Sequence, residues 1–244
     1  MIHSRERDVE NEQPNLKRLK LNSCEADDNK SRTLRLGNGI ILLKSYVSEA
    51  DQVELLDKIY DMGIKGFYDC MNESTKAMRM MNCGLGANGR PLSLSLPPIV
   101  SRLVSTANQE AQRVCPSLPA IHPDMLIVNE YKERSRLRLH DDVPTVGERG
   151  VPVVSISIGC TAEFVWKSSW SKKQKTNTVL LESGDVLIFG GRSRGIVHGV
   201  NRILPGSSPS ALQSRLSQGT KRINLNCRQY KKIEHVRIRN ENQY

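Results

Sequence analysis

From residue 124 onward the chain is cut into runs too short for helices and rich in β-branched and aromatic residues. "MLIVNEY", "RLRLH", "VPVVSISIGC", "AEFVW", "NTVLL", "DVLIFGG" and "INLNCRQY" are each bounded by Gly, Pro, Ser or a charged turn. In "VVSISIG", Val154, Ile156 and Ile158 alternate with Ser155 and Ser157, the period of a half-buried strand. Several short strands at this spacing predict a sandwich or jelly roll. Ahead of them, Gly39 to Leu43 reads as a buried strand, and Ser48 with Asp51 as a helix N-terminus of the capping-box kind. Val53, Leu56, Ile59 and Tyr60 follow at helical spacing, and Gly63 is expected to close that helix. A second helix fits "PPIVSRLVSTANQEAQRVCP", with Ile99, Leu103, Ala107, Ala111 and Val114 on one face and Pro116 ending it. Two helices before such a set can cover one sheet, so the expected class is mainly β with flanking helices.

The ends have another character. Residues 1–33 are polar, with balanced charges and almost no aliphatic periodicity, and read as a disordered tail. Its "LKRLK" reads equally as a weak import signal or as a solvated charge run. The folded domain is expected over 34–232, with a basic and polar tail over 233–244. "SKKQKTN" (171–177) and "PGSSPSALQSRLSQGTK" (205–221) read as exposed loops. The whole chain carries a formal charge of +10 and a pI near 9.4, which favours a polyanionic partner, nucleic acid before membrane. The longest apolar stretch, near "VPVVSISIG", is too short and too interrupted by Ser to span a bilayer. The N-terminus has no apolar h-region. The six cysteines form no CxxC pair and stand at no zinc-finger spacing with His, which suggests reduced thiols in an intracellular protein. The expected compartment is the nucleus, the cytoplasm or both, with an organelle as the alternative.

Three features carry chemistry. His140-Asp141-Asp142 ends an apparent strand, where side chains at i and i+2 point the same way, so His140 and Asp142 would offer a nitrogen and a carboxylate oxygen to one point. A lone HxD triplet is common by chance. His198, in "GGRSRGIVHGV", follows a strand and a tight Gly turn; alone it reads as a satisfied core histidine. Two His and one carboxylate are also the facial set that holds non-haem Fe(II) and leaves positions free for a co-substrate and O2. Lastly, in "KRINLNCRQ", Arg222, Asn224, Asn226 and Arg228 alternate with Ile223, Leu225 and Cys227. Such a row is either a solvent-facing basic strand or an interior one whose desolvation requires an anion, for which a small dicarboxylate is suited.

This ordered series resembles the Fe(II)/2-oxoglutarate dioxygenases, and within them the AlkB family of nucleic-acid demethylases. The matching segments are "VNEY", "RLRLHDD", "PVVSISIG", "ESGDVLIFGG", "SRGIVHGV" and "RINLNCR", with "MMNCG" (80–84) similar to the segment ahead of the family's substrate lid. The resemblance runs from about residue 35 to 230. It implies a double-stranded β-helix, a jelly roll whose mouth holds the metal. His140, Asp142 and His198 would bind Fe(II), and Arg222 would pair with the distal carboxylate of 2-oxoglutarate. Asn129, Tyr131, Asn224 and Arg228 would complete the co-substrate pocket, Arg228 near the keto-acid end. The implied reaction uses O2 to demethylate N-methylated bases of DNA or RNA oxidatively, releasing formaldehyde, succinate and CO2. The two histidines must be neutral to bind iron, so activity should fall in acid.

The implied partner is nucleic acid, single-stranded or with its base flipped, acted on by a monomer without a membrane. Candidate phosphate contacts are Lys132, Arg134, Arg136, Lys172, Lys173, Lys175, Lys231 and Lys232. The sequence also departs from the family. Many members carry an acidic residue two positions after the metal Asp, where Pro144 stands here, and aromatic residues after "NCG", where "LGANGRPLSL" has none. Trp166 and Trp170 could stack on bases, although a core role suits Trp166. These departures leave open a dioxygenase of non-nucleic substrates and a catalytically silent nucleic-acid-binding module. A zinc hydrolase is disfavoured, because nothing resembles its usual general base beside the metal.

Overall fold

A computed structural model describes residues 32–70, 78–142, 150–216 and 219–230. The "LKRLK" cluster, Pro144, Lys231, Lys232 and the tail 233–244 lie outside the described residues, as does the N-terminal tail up to residue 31. The expected end of that tail at 33 is too late, because Arg32 and Thr33 already pair with Lys44 and Leu43 in the first strand.

The strands are β1 (Arg32–Gly37), β2 (Ile40–Lys44), β3 (Tyr68–Asp69), β4 (Met78–Gly84), β5 (Met125–Lys132), β6 (Leu137–His140), β7 (Val153–Gly159), β8 (Ala162–Lys167), β9 (Asn177–Leu181), β10 (Val186–Phe189), β11 (Val197–Ile203) and β12 (Thr220–Arg228). They form an eight-stranded sheet in the order β1-β2-β10-β7-β12-β5-β4-β3 and a four-stranded sheet in the order β6-β11-β8-β9. From β5 to β12 the pairing is nested: β5 with β12, β6 with β11, β7 with β10 and β8 with β9, all antiparallel. That is one long hairpin folded over itself into two facing sheets, a jelly roll. β11, which carries His198, is a strand that its short, glycine-broken sequence did not announce.

Helix α1 (Glu49–Gly66) starts as expected, the Ser48 hydroxyl accepting from the Asp51 amide at 3.1 Å and donating to its carboxylate at 2.8 Å. It does not stop at Gly63. The helix runs on to Gly66, and a Cβ on Gly63 would lie 2.6 Å from the Phe67 ring, so the glycine serves close packing, not termination. Helix α2 (Pro98–Val114) buries Ile99, Leu103, Ala107 and Ala111 as expected, but Val114 is exposed. The backbone leaves helical geometry at Cys115, and that side chain takes the buried place instead.

The larger sheet is buried on both faces. Ile41, Leu43, Val154, Ile156, Ile188 and Leu225 meet the two helices in the main core. On the opposite face, Ile40, Leu42 and Phe189 pack against Phe164, Trp166 and Leu181 of the smaller sheet. β7 is therefore buried throughout and not half-buried as its alternation suggested; Ser155 and Ser157 face the space between the sheets. Residues 171–177 are exposed as expected. The stretch 205–221 is not a plain loop. It contains a helical turn, α3 (Ser210–Gln213), anchored by the fully buried Leu212, and then the start of β12. Among the described residues, no helix is long and apolar enough to cross a membrane.

Candidate metal and co-substrate site

One cavity of about 370 Å³ opens between the two sheets. At one end stand His140, the last residue of β6, and His198 on β11, which are direct cross-strand partners although 58 residues apart in sequence. Their ring centroids are 4.5 Å apart. Close approach of these strands depends on Gly199, where a Cβ would lie 2.5 Å from the Leu137 carbonyl oxygen. The register shifts there, between His198 and Val200.

Both rings are aimed by backbone. His140 Nδ1 lies 3.0 Å from the carbonyl oxygen of Arg138, and His198 Nδ1 lies 3.1 Å from that of Ile196. A carbonyl only accepts, so each Nδ1 carries the proton and each Nε2 of a neutral ring keeps its lone pair. Those Nε2 atoms lie 3.8 Å and 3.9 Å from the two oxygens of Asp142. One ligand atom from each of the three residues lies within 4.8 Å of the others. Arg228 donates to Asp142 Oδ1 at 2.6 Å, while Asp142 Oδ2 is buried without a hydrogen-bond partner. Burial pushes His198 down to about 4, partly offset by Asp142, so the ring is neutral at physiological pH. The Phe189 and Phe164 rings, at 5.0 and 5.7 Å, form part of its apolar surroundings. Two imidazoles presenting Nε2, a carboxylate with a free oxygen and no thiolate make a donor set that fits Fe(II).

The deeper wall is β12 with its neighbours. The solvent-facing alternative for this strand is ruled out: Arg222 is 1% exposed, and Asn224 and Asn226 are buried. Arg222 Nη2 donates to Ser157 Oγ at 2.7 Å, and Nη1 reaches the carbonyls of Cys160 and Leu181 at 3.3 and 3.4 Å. Its Nε has no partner, and among the described residues it makes no ion pair. Burial brings the guanidinium down to about 10, so it remains a cation at neutral pH. A buried cation with an idle donor is costly until an anion joins it, which is the fit expected for the carboxylate of 2-oxoglutarate. Asn224 donates to Ser155 Oγ at 2.7 Å and the Ile156 carbonyl at 3.0 Å, and its own carbonyl oxygen lies 3.4 Å from Asn129 Nδ2.

Seven of the eight residues singled out from the sequence line this cavity; Tyr131 does not. It stands beside Arg222 in register, its ring packed near Met78 and Cys160, and burial pushes its hydroxyl up to about 12. Sequence reasoning missed Ser155 and Ser157. The signal was present: they form a polar row that pairs with the row of β12, Asn226 opposite Ser155 and Asn224 opposite Ser157. Of the stacking candidates, Trp166 is buried in the core and Trp170 is 55% exposed. Lys132, Arg134, Arg136, Lys172, Lys173 and Lys175 are all exposed.

Comparison with known proteins agrees with this geometry. The model of the 2OG-Fe(II) oxygenase superfamily matches residues 39–228. A DNA N(6)-methyladenine demethylase of Arabidopsis thaliana, ALKBH1D, is 33% identical over 239 residues, covering 84% of this chain and 54% of the relative. The alpha-ketoglutarate-dependent dioxygenase AlkB of Escherichia coli (strain K12) is 27% identical over 193 residues, covering 74% of this chain and 88% of the relative. A solved structure of OsALKBH1 superposes with a TM-score of 0.73 at 32% identity, covering 81% of this chain and all of that one. The chain spans about half the length of the first curated relatives it matches. It belongs to the 2OG-Fe(II) oxygenase superfamily.

Proposed function

We propose that this 2OG-Fe(II) oxygenase is an oxidative demethylase of N-methylated nucleobases, using Fe(II), 2-oxoglutarate and O2 and releasing formaldehyde, succinate and CO2. The observation that carries the reading is the presence of two idle groups in one cavity: an unpartnered Asp142 oxygen in a cluster with the two histidines, and a buried Arg222 without a carboxylate. Similarity to named N(6)-methyladenine demethylases and to AlkB supports the choice of substrate.

The metal and its co-substrate, when bound, supply the oxidising power that hydroxylates an N-methyl carbon, and the hydroxymethyl group then leaves as formaldehyde. The chain does the rest. His140, His198 and Asp142 hold the metal, their rings pre-aimed by backbone carbonyls, so little is lost in ordering them. Arg228 keeps one Asp142 oxygen fixed while the other is presented. Arg222 and Asn224 bind and orient the keto acid, with Asn129 behind them and Tyr131 beside Arg222 supporting that end. Phe164 and Phe189 keep water from His198. Met78, Met80, Ile127 and Leu137 offer a methylated base an apolar wall.

We extend the reading to an intracellular monomer of the nucleus or cytoplasm, a setting consistent with the five free cysteines among the described residues. Purified protein given Fe(II) and 2-oxoglutarate should release succinate, and His140→Ala should abolish it. Mass spectrometry of modified nucleosides, after incubation with total DNA and RNA, should show loss of a methylated base and decide between DNA repair and RNA modification. Succinate release with every methylated nucleoside unchanged would move the reading to a dioxygenase of another substrate; no succinate would leave a silent binding module.

A further inference from the structure

The hairpin joining β8 to β9 carries an exposed Trp170 followed by Lys172, Lys173 and Lys175, and residues 168–178 contain no acidic side chain. A tryptophan 55% open to water leaves a large apolar surface unburied, an expense the fold does not need for its own stability. The turn is built, not slack. Ser168 Oγ donates to Gln174 Oε1 at 2.8 Å, the Gln174 amide to the Ser171 carbonyl at 3.1 Å, and the Lys173 amide to Ser171 Oγ at 3.3 Å. Trp166, at the base of the hairpin, pairs in register with His198, and His198 with His140. The tip therefore projects from the end of the smaller sheet at which the candidate metal ligands stand.

A second groove continues from that tip. Thr176 and Thr178 line it beside Arg136, Arg138 and Asn201 on the smaller sheet. Its one acidic wall residue, Glu163, is already engaged by Asn201 Nδ2 at 2.6 Å and Arg202 Nε at 2.9 Å. Leu137 and Arg138 of the edge strand β6 and Val200 of β11 border both this groove and the main cavity, so the two adjoin at this edge of the smaller sheet. A ring for stacking, three ammonium groups, and a groove of guanidinium, hydroxyl and amide groups match the chemistry of a single nucleic-acid strand. Sequence-tolerant stacking and phosphate neutralisation are what such a strand requires.

We propose that this hairpin and groove form a single-strand binding track that stacks a nucleotide flanking the target on Trp170 and leads the backbone over β6 to the cavity. The track supplies the stacking that "LGANGRPLSL" lacks. The proposal rests on the reading that the cavity acts on nucleic acid.

The full chain contains only two tryptophans, and Trp166 is buried, so Trp170 is its own reporter. Titration with an unmethylated single-stranded 12-mer should quench tryptophan emission in the unaltered protein and not in Trp170→Phe. Trp170→Ala should weaken strand binding by at least about fivefold, with Trp170→Phe retaining most of it. Replacing Lys172, Lys173 and Lys175 by Ala should lower the slope of log affinity against log salt by about 2. Strand binding without quenching, affinities within about twofold in every variant, or equal quenching by duplex would overturn the track. Melting temperatures close to that of the unaltered protein establish that the variants fold. Demethylation by the unaltered protein tests the parent reading separately. Demethylation with no effect at Trp170 sinks the track alone, and Trp170-dependent binding with no demethylation of any nucleic acid sinks the reading alone.

Discussion

The two faces of β7 and β12 are both buried and differ in chemistry. Towards the helices they present Val154, Ile156, Ile158, Ile223 and Leu225, members of one continuous apolar core. Towards the smaller sheet the same strands present Ser155, Ser157, Arg222, Asn224 and Asn226, also buried. The first face pairs with side chains that repay its burial by removing apolar area from water. The second carries a guanidinium whose Nε lacks a partner, in the same cavity as a carboxylate oxygen that also lacks one. One face therefore stabilises the fold, and the other spends part of that stability on keeping charged groups ready for a ligand.

Substitutions on the two faces should separate these roles. Ile156→Ala removes a fully buried side chain from the helix face and should cost about 2–5 kcal/mol in denaturant unfolding. Affinity of the remaining folded protein for 2-oxoglutarate should stay the same; a large fall in that affinity would break the distinction. Arg222→Met, on the other face, should leave metal-free stability unchanged or raise it by about 1–4 kcal/mol, because an unpaired buried charge is replaced by an apolar chain. Its signature is loss of the melting-temperature rise caused by 2-oxoglutarate, together with loss of succinate release. Destabilisation comparable to that of Ile156→Ala would mean that Arg222 is structural.

Smaller changes sharpen the contrast within the site. Gly199→Ala places a Cβ against the Leu137 carbonyl and must push β6 from β11. Metal affinity, measured by titration with Fe(II) under anaerobic conditions, should fall about 10- to 100-fold, the range for a disturbed ligand support. Retained affinity would show that the His140–His198 pairing tolerates a wider spacing. Ser157→Ala removes the 2.7 Å partner of Arg222 Nη2 and should cost about 1.5–3 kcal/mol of stability. The Michaelis constant for 2-oxoglutarate should change, while the metal titration stays as it was. If the metal titration shifts as well, the two ends of the cavity are not independent.

Much of this was legible in the residues. The strand runs and the Ser48 cap were readable from local pattern, whereas His140, Asp142, His198 and Arg222 were ambiguous one by one and stood out only through the resemblance of the ordered series. Gly63 was misread because a helix-stop signal and a close-packing glycine look alike until Phe67 is seen lying on it. Leu212 was overlooked because one apolar residue in a polar stretch gives no periodicity, yet it is fully buried.

The amino-acid sequence by itself determined which residues share a face, since side chains in a strand alternate with period two whatever lies around them. It could not determine whether a polar face meets water or a second layer, because alternation is identical in both cases. Only the folding of β5–β12 into two facing sheets decided that. It brought His198 opposite His140 across 58 residues and enclosed Ser155, Ser157 and Arg222 between the layers. The physical reason is that charge and hydrogen-bonding need are local properties of a side chain, whereas desolvation is imposed by whatever packs on top of it.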